Sequence, residues 1–234
     1  MELRIDPAKA AAALFAVAIA LVACHFAGQA SRYFLGHGQL LGLVDAFNVN
    51  VENNVPTFFS AFLLVACSGT LFVIAREPSL PRRDARYWGW LGVMFLFLAL
   101  DEDASLHELL MRPMDYFLPE HGVLHFAWVV PYGFAALVVG LLYLGFVLGL
   151  PDPTRWRVIV AGAVYLAGAF VFELIGGWYI SERDGIQDFT YMVIVAAEEF
   201  LEMCGSIFFL YALLCFLAGR LRGAPLAVRI GGSA

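Results

Sequence analysis

The chain contains little charge and almost no lysine. Only 15% of its 234 residues are charged, against about a quarter in an average soluble domain. Lys9 is the single lysine, which argues against a lysine nucleophile or a retinal-type Schiff base in the interior. The cysteines all lie within apolar runs, so neither a disulfide framework nor a zinc-binding Cys-x-x-Cys pair is indicated. They are Cys24, Cys67, Cys204 and Cys215.

Hydrophobic residues make up 62% of the chain, and the mean hydropathy is +0.79. This composition predicts an all-α, polytopic integral membrane protein. Six apolar segments are long enough to cross a bilayer, so we expect six transmembrane helices in one bundle and a single domain over residues 1–234. The predicted spans are residues 10–27, 55–75, 87–110, 123–150, 158–180 and 189–218.

Basic residues predict the orientation of these spans. Eleven of the 14 lysines and arginines lie in the N-terminal segment, the loops at 76–86 and 151–157, and the tail after residue 218. Only Arg32, Arg112 and Arg183 lie in the other loops. Because short cytoplasmic loops are enriched in lysine and arginine, both termini should be cytoplasmic in the inner membrane of a bacterium.

The stretch FLALDEDASLHELL, at residues 97–110, places charges inside an apolar pattern. We interpret it as one helix that carries ionisable groups into the outer part of the membrane. At about 1.5 Å per residue, Glu102, Glu173 and Glu199 should all lie roughly 10 to 15 Å below the same surface. Ionisable side chains are costly at that depth, so this layer is predicted to be a functional site that faces the periplasm.

Helical spacing should bring several of these side chains together. Asp103 and His107 are four residues apart, as are Glu198 and Glu202, and Asp101, Ser105 and Glu108 share another face. The metal-ligand candidates are Glu52, Asp101, Glu102, His107, Glu108, Glu173, Glu198, Glu199 and Glu202, together with His121 and His125, whose four-residue separation would let two imidazoles share a metal.

Glutamates from several helices are the arrangement by which four-helix bundles hold paired iron or manganese ions. The Glu-x-x-His step of those proteins is missing here, because Ser105 stands three residues after Glu102 and Glu202 three after Glu199. We therefore expect iron, manganese or zinc, in one or two copies, and neither a nucleotide cofactor nor a nucleic-acid partner.

Each candidate also has a purely structural interpretation. The acids between residues 101 and 108 could be solvated at a helix end that already lies among the headgroups. Glu173 could be a protonated structural carboxyl, since burial in an apolar site favours its neutral form. His121 and His125 could simply pack at the membrane interface.

Four segments resemble an uncharacterised group of bacterial polytopic membrane proteins with LDE-x4-HE and EE-x2-E motifs. They are FNVNVENNVPTFFS at 47–60, LDEDASLHE at 100–108, FELIGG at 172–177 and EEFLEMCGSIFFLYALL at 198–214. The resemblance implies that the polar set of the group is Glu52, Asp101, Glu102, His107, Glu108, Glu173, Glu198, Glu199 and Glu202, and it implies no activity. The His121-x3-His125 spacing is also similar to the alkaline ceramidase superfamily, but the chain has six predicted spans and no second separated histidine set.

Three functions are compatible with these patterns. The first is a metal-dependent membrane oxidoreductase or hydrolase that acts on a lipid or another apolar substrate. The second is a proton- or cation-coupled transporter that uses the same acids. The third is a non-catalytic subunit whose acids pair with a membrane-protein partner or with a second copy of the chain.

Overall fold

The computed structural model describes residues 5–115, 117 and 122–221, and all of its long elements are helices. They are α1 (Pro7–Leu35), α2 (Val55–Ala75), α3 (Arg82–Ala104), α4 (Val129–Leu148), α5 (Thr154–Ser181) and α6 (Phe189–Leu221). The described residues contain no strand, which confirms the all-α prediction. Single helical turns lie in the connections, at Leu43–Ala46, His107–Leu110, Met111–Asp115 and Gly122–Leu124.

Local sequence explains where the first two helices begin. The side chain of Asp6 accepts hydrogen bonds from the backbone N–H groups of Ala8 and Lys9, and Pro7 occupies the first turn of α1. In the same way, Asn54 caps α2 by accepting from the N–H of Thr57, with Pro56 in the first turn. Proline is favoured there because its missing N–H would have no partner within the helix.

Five of the six long helices are long and apolar enough to cross a membrane: α1, α2, α4, α5 and α6. The multi-pass helical character predicted from the sequence is therefore supported. Helix α3 falls outside this set because charges occupy both of its ends, at 82–86 and at 101–103. A total of six spans remains a prediction.

Three predicted spans differ from the structure by six or more residues at one end. The first was expected over residues 10–27, but α1 continues to Leu35. The third was expected to continue to residue 110, but α3 ends at Ala104 because Ser105 adopts a left-handed backbone conformation, with φ of 52°. The fourth was expected to begin at residue 123, but α4 starts at Val129, after a short turn of 3₁₀ helix. Pro131 thus lies in the first turn of α4, where proline is tolerated.

Helix α6 is the centre of the bundle, packed against α1, α2 and α5, while α2 also packs along α3. A large apolar core fills the end of the bundle where α3 begins. It includes Trp88, Phe146, Leu213 and Phe216. At the other end, where α3 stops, the predicted acids are found. This second end, with residues 47–54 and 105–110 folded over it, is called the acid end below.

Candidate functional site

The end of α3 determines the position of His107. The backbone N–H groups of Ser105 and Leu106 both donate to the carbonyl of Asp101, so the chain turns sharply after Ala104. His107 thereby folds back over the helix, and its Nδ1 lies 3.5 Å from Oδ2 of Asp101. The predicted helical pair of Asp103 with His107 is wrong, since the helix has already ended and Asp103 is exposed.

His107 also connects α3 to the segment that precedes α2. Its Nε2 lies 3.7 Å from Oε1 of Glu52. Burial raises the pKa of Glu52 to about 7, although the nearby His107 lowers it. Burial lowers the pKa of His107, but the hydrogen bond and charge of Asp101, with the charges of Glu52 and Glu102, raise it above its usual value overall. The imidazole of His107 therefore lies between the carboxyl groups of Asp101 and Glu52.

Two aromatic side chains, one on α4 and one immediately before it, donate hydrogen bonds to two of the carboxyl groups. The Tyr132 hydroxyl donates to Oδ1 of Asp101 at 2.8 Å. The Trp128 indole N–H donates to Oε1 of Glu173 at 2.9 Å. The Trp128 ring also packs against His107, with 4.8 Å between ring centroids. These contacts link α3, α4 and α5 across the acid end.

A π-helical turn at Ala167–Phe172 interrupts α5 immediately before Glu173. Such turns occur mostly as local insertions in helices and are frequent at functional sites. Gly168 lies in this turn, so close to α6 that an added Cβ would be 2.7 Å from the backbone oxygen of Glu198. At this close approach the Glu173 and Glu198 side chains lie within interaction range of each other.

A second close contact lies one turn further along the same helix pair. A Cβ on Gly205 would be 2.6 Å from the backbone nitrogen of Tyr165, so only glycine allows this approach. The Tyr165 side chain lies within interaction range of the Glu202 carboxyl group. The small residues that let the backbones meet therefore also bring a tyrosine close to a carboxyl group.

Glu102 and Glu199 occupy the centre of this arrangement. Glu199 lies within electrostatic range of Glu102, Glu202, Glu173 and Glu52. Glu102 in turn interacts with Glu52, Asp101 and His107. Both side chains are half-buried.

Two further candidate residues lie at the edge of these contacts. Glu108 is exposed, acts electrostatically on Glu52 and borders an open pocket with Ala104, Ser105 and Leu109. His125 is half-buried and packs near Gly177, and its buried Nδ1 has no hydrogen-bond partner among the described residues. His121 lies outside the described residues.

Sequence reasoning missed the aromatic residues Trp128, Tyr132 and Tyr165. Tryptophan and tyrosine are common at membrane interfaces, so their presence in a span carries no signal by itself. The one available clue to their role was that these residues lie at the same depth in the predicted spans as the acids. Within residues 5–115, 117 and 122–221, no group of three or more His, Cys, Asp or Glu side chains is already arranged to hold a metal ion.

Comparison with known proteins gives a family but no activity. No curated protein and no solved structure matches the chain. Residues 10–216 match the family model described as a domain of unknown function, DUF8692. Since that match covers most of the sequence, the chain belongs to the DUF8692 family.

Proposed function

We propose that this chain is a membrane-embedded metalloprotein that binds one or two cations among the carboxyl groups of the acid end. The observation that carries the proposal is a charge imbalance. Seven buried or half-buried carboxyl side chains interact there, while the interacting groups include one imidazole. They are Glu52, Asp101, Glu102, Glu173, Glu198, Glu199 and Glu202. The arginine ion pairs among the described residues involve Asp45, Asp152 and Asp188 instead.

Such an excess of buried negative charge requires bound protons or bound cations, since uncompensated carboxylates are costly away from water. Metal ions would supply the positive charge and would also use the carboxylate oxygens as ligands. The donors support this choice. Trp128 and Tyr132 each donate a hydrogen bond to one carboxyl group, as outer hydrogen bonds do when they orient the ligands of a metal.

Glu102, Glu199 and Glu202 are the ligands we propose first, with Glu52, His107 and Glu173 around them. Because these side chains do not yet converge on one point, binding would require carboxyl groups to rotate. Protons and metal ions would also compete for the carboxylate oxygens. We therefore expect metal affinity to rise with pH.

The chemistry proposed for the site is that of a membrane oxidoreductase or hydrolase. Iron, manganese or zinc with carboxylate and imidazole ligands could polarise a substrate or activate an oxygen species. An apolar substrate such as a membrane lipid suits a site whose surrounding helices expose apolar side chains, including Phe97, Phe134 and Leu137. The positive-inside rule would place the acid end on the periplasmic side of a bacterial inner membrane.

Elemental analysis of the detergent-purified protein tests the proposal. Wild type should contain near-stoichiometric iron, manganese or zinc, and Glu102→Gln and Glu199→Gln should each lose most of it while remaining folded. Glu182→Gln is the control, because Glu182 is an exposed acid outside the site and its replacement should leave the metal in place. Absence of metal from wild type, or full occupancy in both site variants, would overturn the proposal.

The proximity of Glu173 and Glu198 favours a second candidate, proton-coupled transport, because neighbouring carboxyl groups inside a helix bundle can relay protons. In that case the acids would titrate without metal. Within the described part of the chain, the opposite end is an apolar core in which Trp88 and Phe216 are buried, so no polar path for protons continues through it. Proton flux into vesicles containing the metal-free protein would establish this candidate, and its loss in Glu198→Gln would assign it to the pair.

A further inference from the structure

Ser60 is a buried polar residue that no contact explains. Its side chain lies on α2 with 7% of the residue exposed. The hydroxyl oxygen is buried and has no hydrogen-bond partner among the residues that the structure describes. Burying an unpaired hydroxyl is unfavourable, and most serines inside helices instead bond back to a backbone carbonyl or reach another helix. Ser68 shows the usual solution on the same helix, since its hydroxyl donates to the carbonyl of Gly92 at 2.7 Å.

The contact between α2 and α6 shows how far along the bundle axis Ser60 lies. The thiol of Cys67 lies 3.5 Å from the carbonyl oxygen of Ser206, and the two helices run in the same direction. Seven residues make nearly two turns, a rise of about 10 Å that returns to almost the same face of a helix. Counting back seven residues on both helices leads from this contact to Ser60 and Glu199.

The contact between α2 and α3 shows on which side of α2 Ser60 lies. At about 100° per residue, Ser60 lies roughly 20° from Cys67 around α2, displaced toward the face of Ser68. Cys67 faces α6 and Ser68 faces α3. The Ser60 side chain is thus placed between α6 and α3, the two helices that carry Glu199 and Glu102.

We infer that the Ser60 hydroxyl belongs to the cation site as a neutral oxygen ligand between Glu102 and Glu199. This rests on the proposed metal-binding function. A hydroxyl oxygen is a suitable ligand for a hard divalent cation beside carboxylates, and it adds no negative charge to a site that already has an excess. It also gives the unpaired hydroxyl a partner in the cation-bound state.

The experiment compares Ser60 with Ser68, its matched control on the same helix. Ser60→Ala should bind Mn²⁺ about tenfold more weakly than wild type, as expected when one group that supports a metal is removed. The metal-free Ser60→Ala protein should unfold at the same temperature as wild type or higher, because it loses only an unpaired hydroxyl. Ser68→Ala should do the reverse, with a lower unfolding temperature and unchanged Mn²⁺ affinity.

Replacement by cysteine gives a readout that a packing role would not change. Ser60→Cys should raise the affinity for Cd²⁺ relative to Mn²⁺, since a thiolate prefers softer metals, while Ser68→Cys should leave that ratio unchanged. If wild type binds Mn²⁺ and the Ser60 variants match it in affinity and in metal preference, this inference is wrong and the proposed function stands. If wild type binds no metal, both are wrong.

Discussion

At the end of the bundle where α3 begins, Trp88 packs edge-on against Phe146, with 5.0 Å between ring centroids, and lies 5.3 Å from Phe216. At the end where α3 stops, Asp101 instead contacts the Tyr132 hydroxyl and the His107 imidazole. The first end gains packing contacts from every group that it buries. The second buries carboxyl groups whose charge the described contacts do not balance. We therefore expect the end around Trp88, called the aromatic end below, to stabilise the fold, whereas the acid end carries a cost that binding would offset.

The largest effect should follow from a cavity at the aromatic end. Trp88 is 1% exposed, so Trp88→Ala removes a large side chain from a closed core and should lower the free energy of unfolding by about 3 kcal/mol. The metal content of the remaining folded protein should not change. Trp90, two residues away and 66% exposed, is the control, and Trp90→Ala should have little effect.

Denaturant unfolding in detergent, combined with elemental analysis of the folded fraction, checks this prediction. Equal losses of stability in both tryptophan variants would contradict the view that protein packing, rather than contact with the surrounding lipid or detergent, stabilises the aromatic end. Loss of metal from folded Trp88→Ala would show that the two ends are not independent.

A smaller effect is expected where α5 and α6 touch, because this contact serves both stability and the site. Gly205→Ala would place a Cβ against the backbone of Tyr165, forcing the helices apart at a cost of about 1 to 3 kcal/mol. The same displacement should separate the side chains of Tyr165 and Glu202 and lower the affinity of the site for metal. Gly140→Ala is the control, since a Cβ there meets nothing within 4 Å.

Thermal unfolding and metal titration of the two glycine variants separate these effects. A Gly205→Ala protein that unfolds earlier but binds metal normally would show that the tyrosine does not orient the glutamate. Gly140→Ala should match wild type in both measurements, or be slightly more stable, because alanine favours a helix more than glycine does.

The apolar segments could be predicted from the sequence because hydropathy and capping residues act locally. Helix α2 was expected over residues 55–75 and occupies Val55–Ala75, where Asn54 and Pro56 mark its start. The end of α3 could not be predicted in this way. Leu106, Leu109 and Leu110 continue the apolar pattern past Ser105, and nothing in that pattern reports the left-handed backbone that ends the helix.

The neighbours of the acids depended on this unpredicted turn. Spacing alone paired His107 with Asp103, whereas the turn brings it to Asp101 and to Glu52, which is 55 residues away in the sequence. Contacts between distant segments, such as Tyr165 with Glu202, depend on which helices are adjacent. Local periodicity indicates the buried face of a helix but not the helix that covers it.

The smallest effect is expected at Asp188, a residue at the acid end whose carboxylate already accepts several hydrogen bonds. Asp188 accepts from the backbone N–H of Tyr191 and from the Tyr179 hydroxyl, at the start of α6. These hydrogen bonds lower its pKa below the usual 3.8.

A carboxylate with a lowered pKa in the folded state contributes stability above its unfolded pKa, and this contribution disappears as the pH falls through the folded value. Asp188→Ala should therefore unfold at a slightly lower temperature than wild type at neutral pH, and the difference should shrink below about pH 4. Asp188→Asn keeps an acceptor oxygen without a titrating charge, so its difference from Asp188→Ala should stay constant with pH. A gap between wild type and Asp188→Ala that widens on acidification would contradict this assignment and would show that acids at this end behave alike whether or not donors surround them.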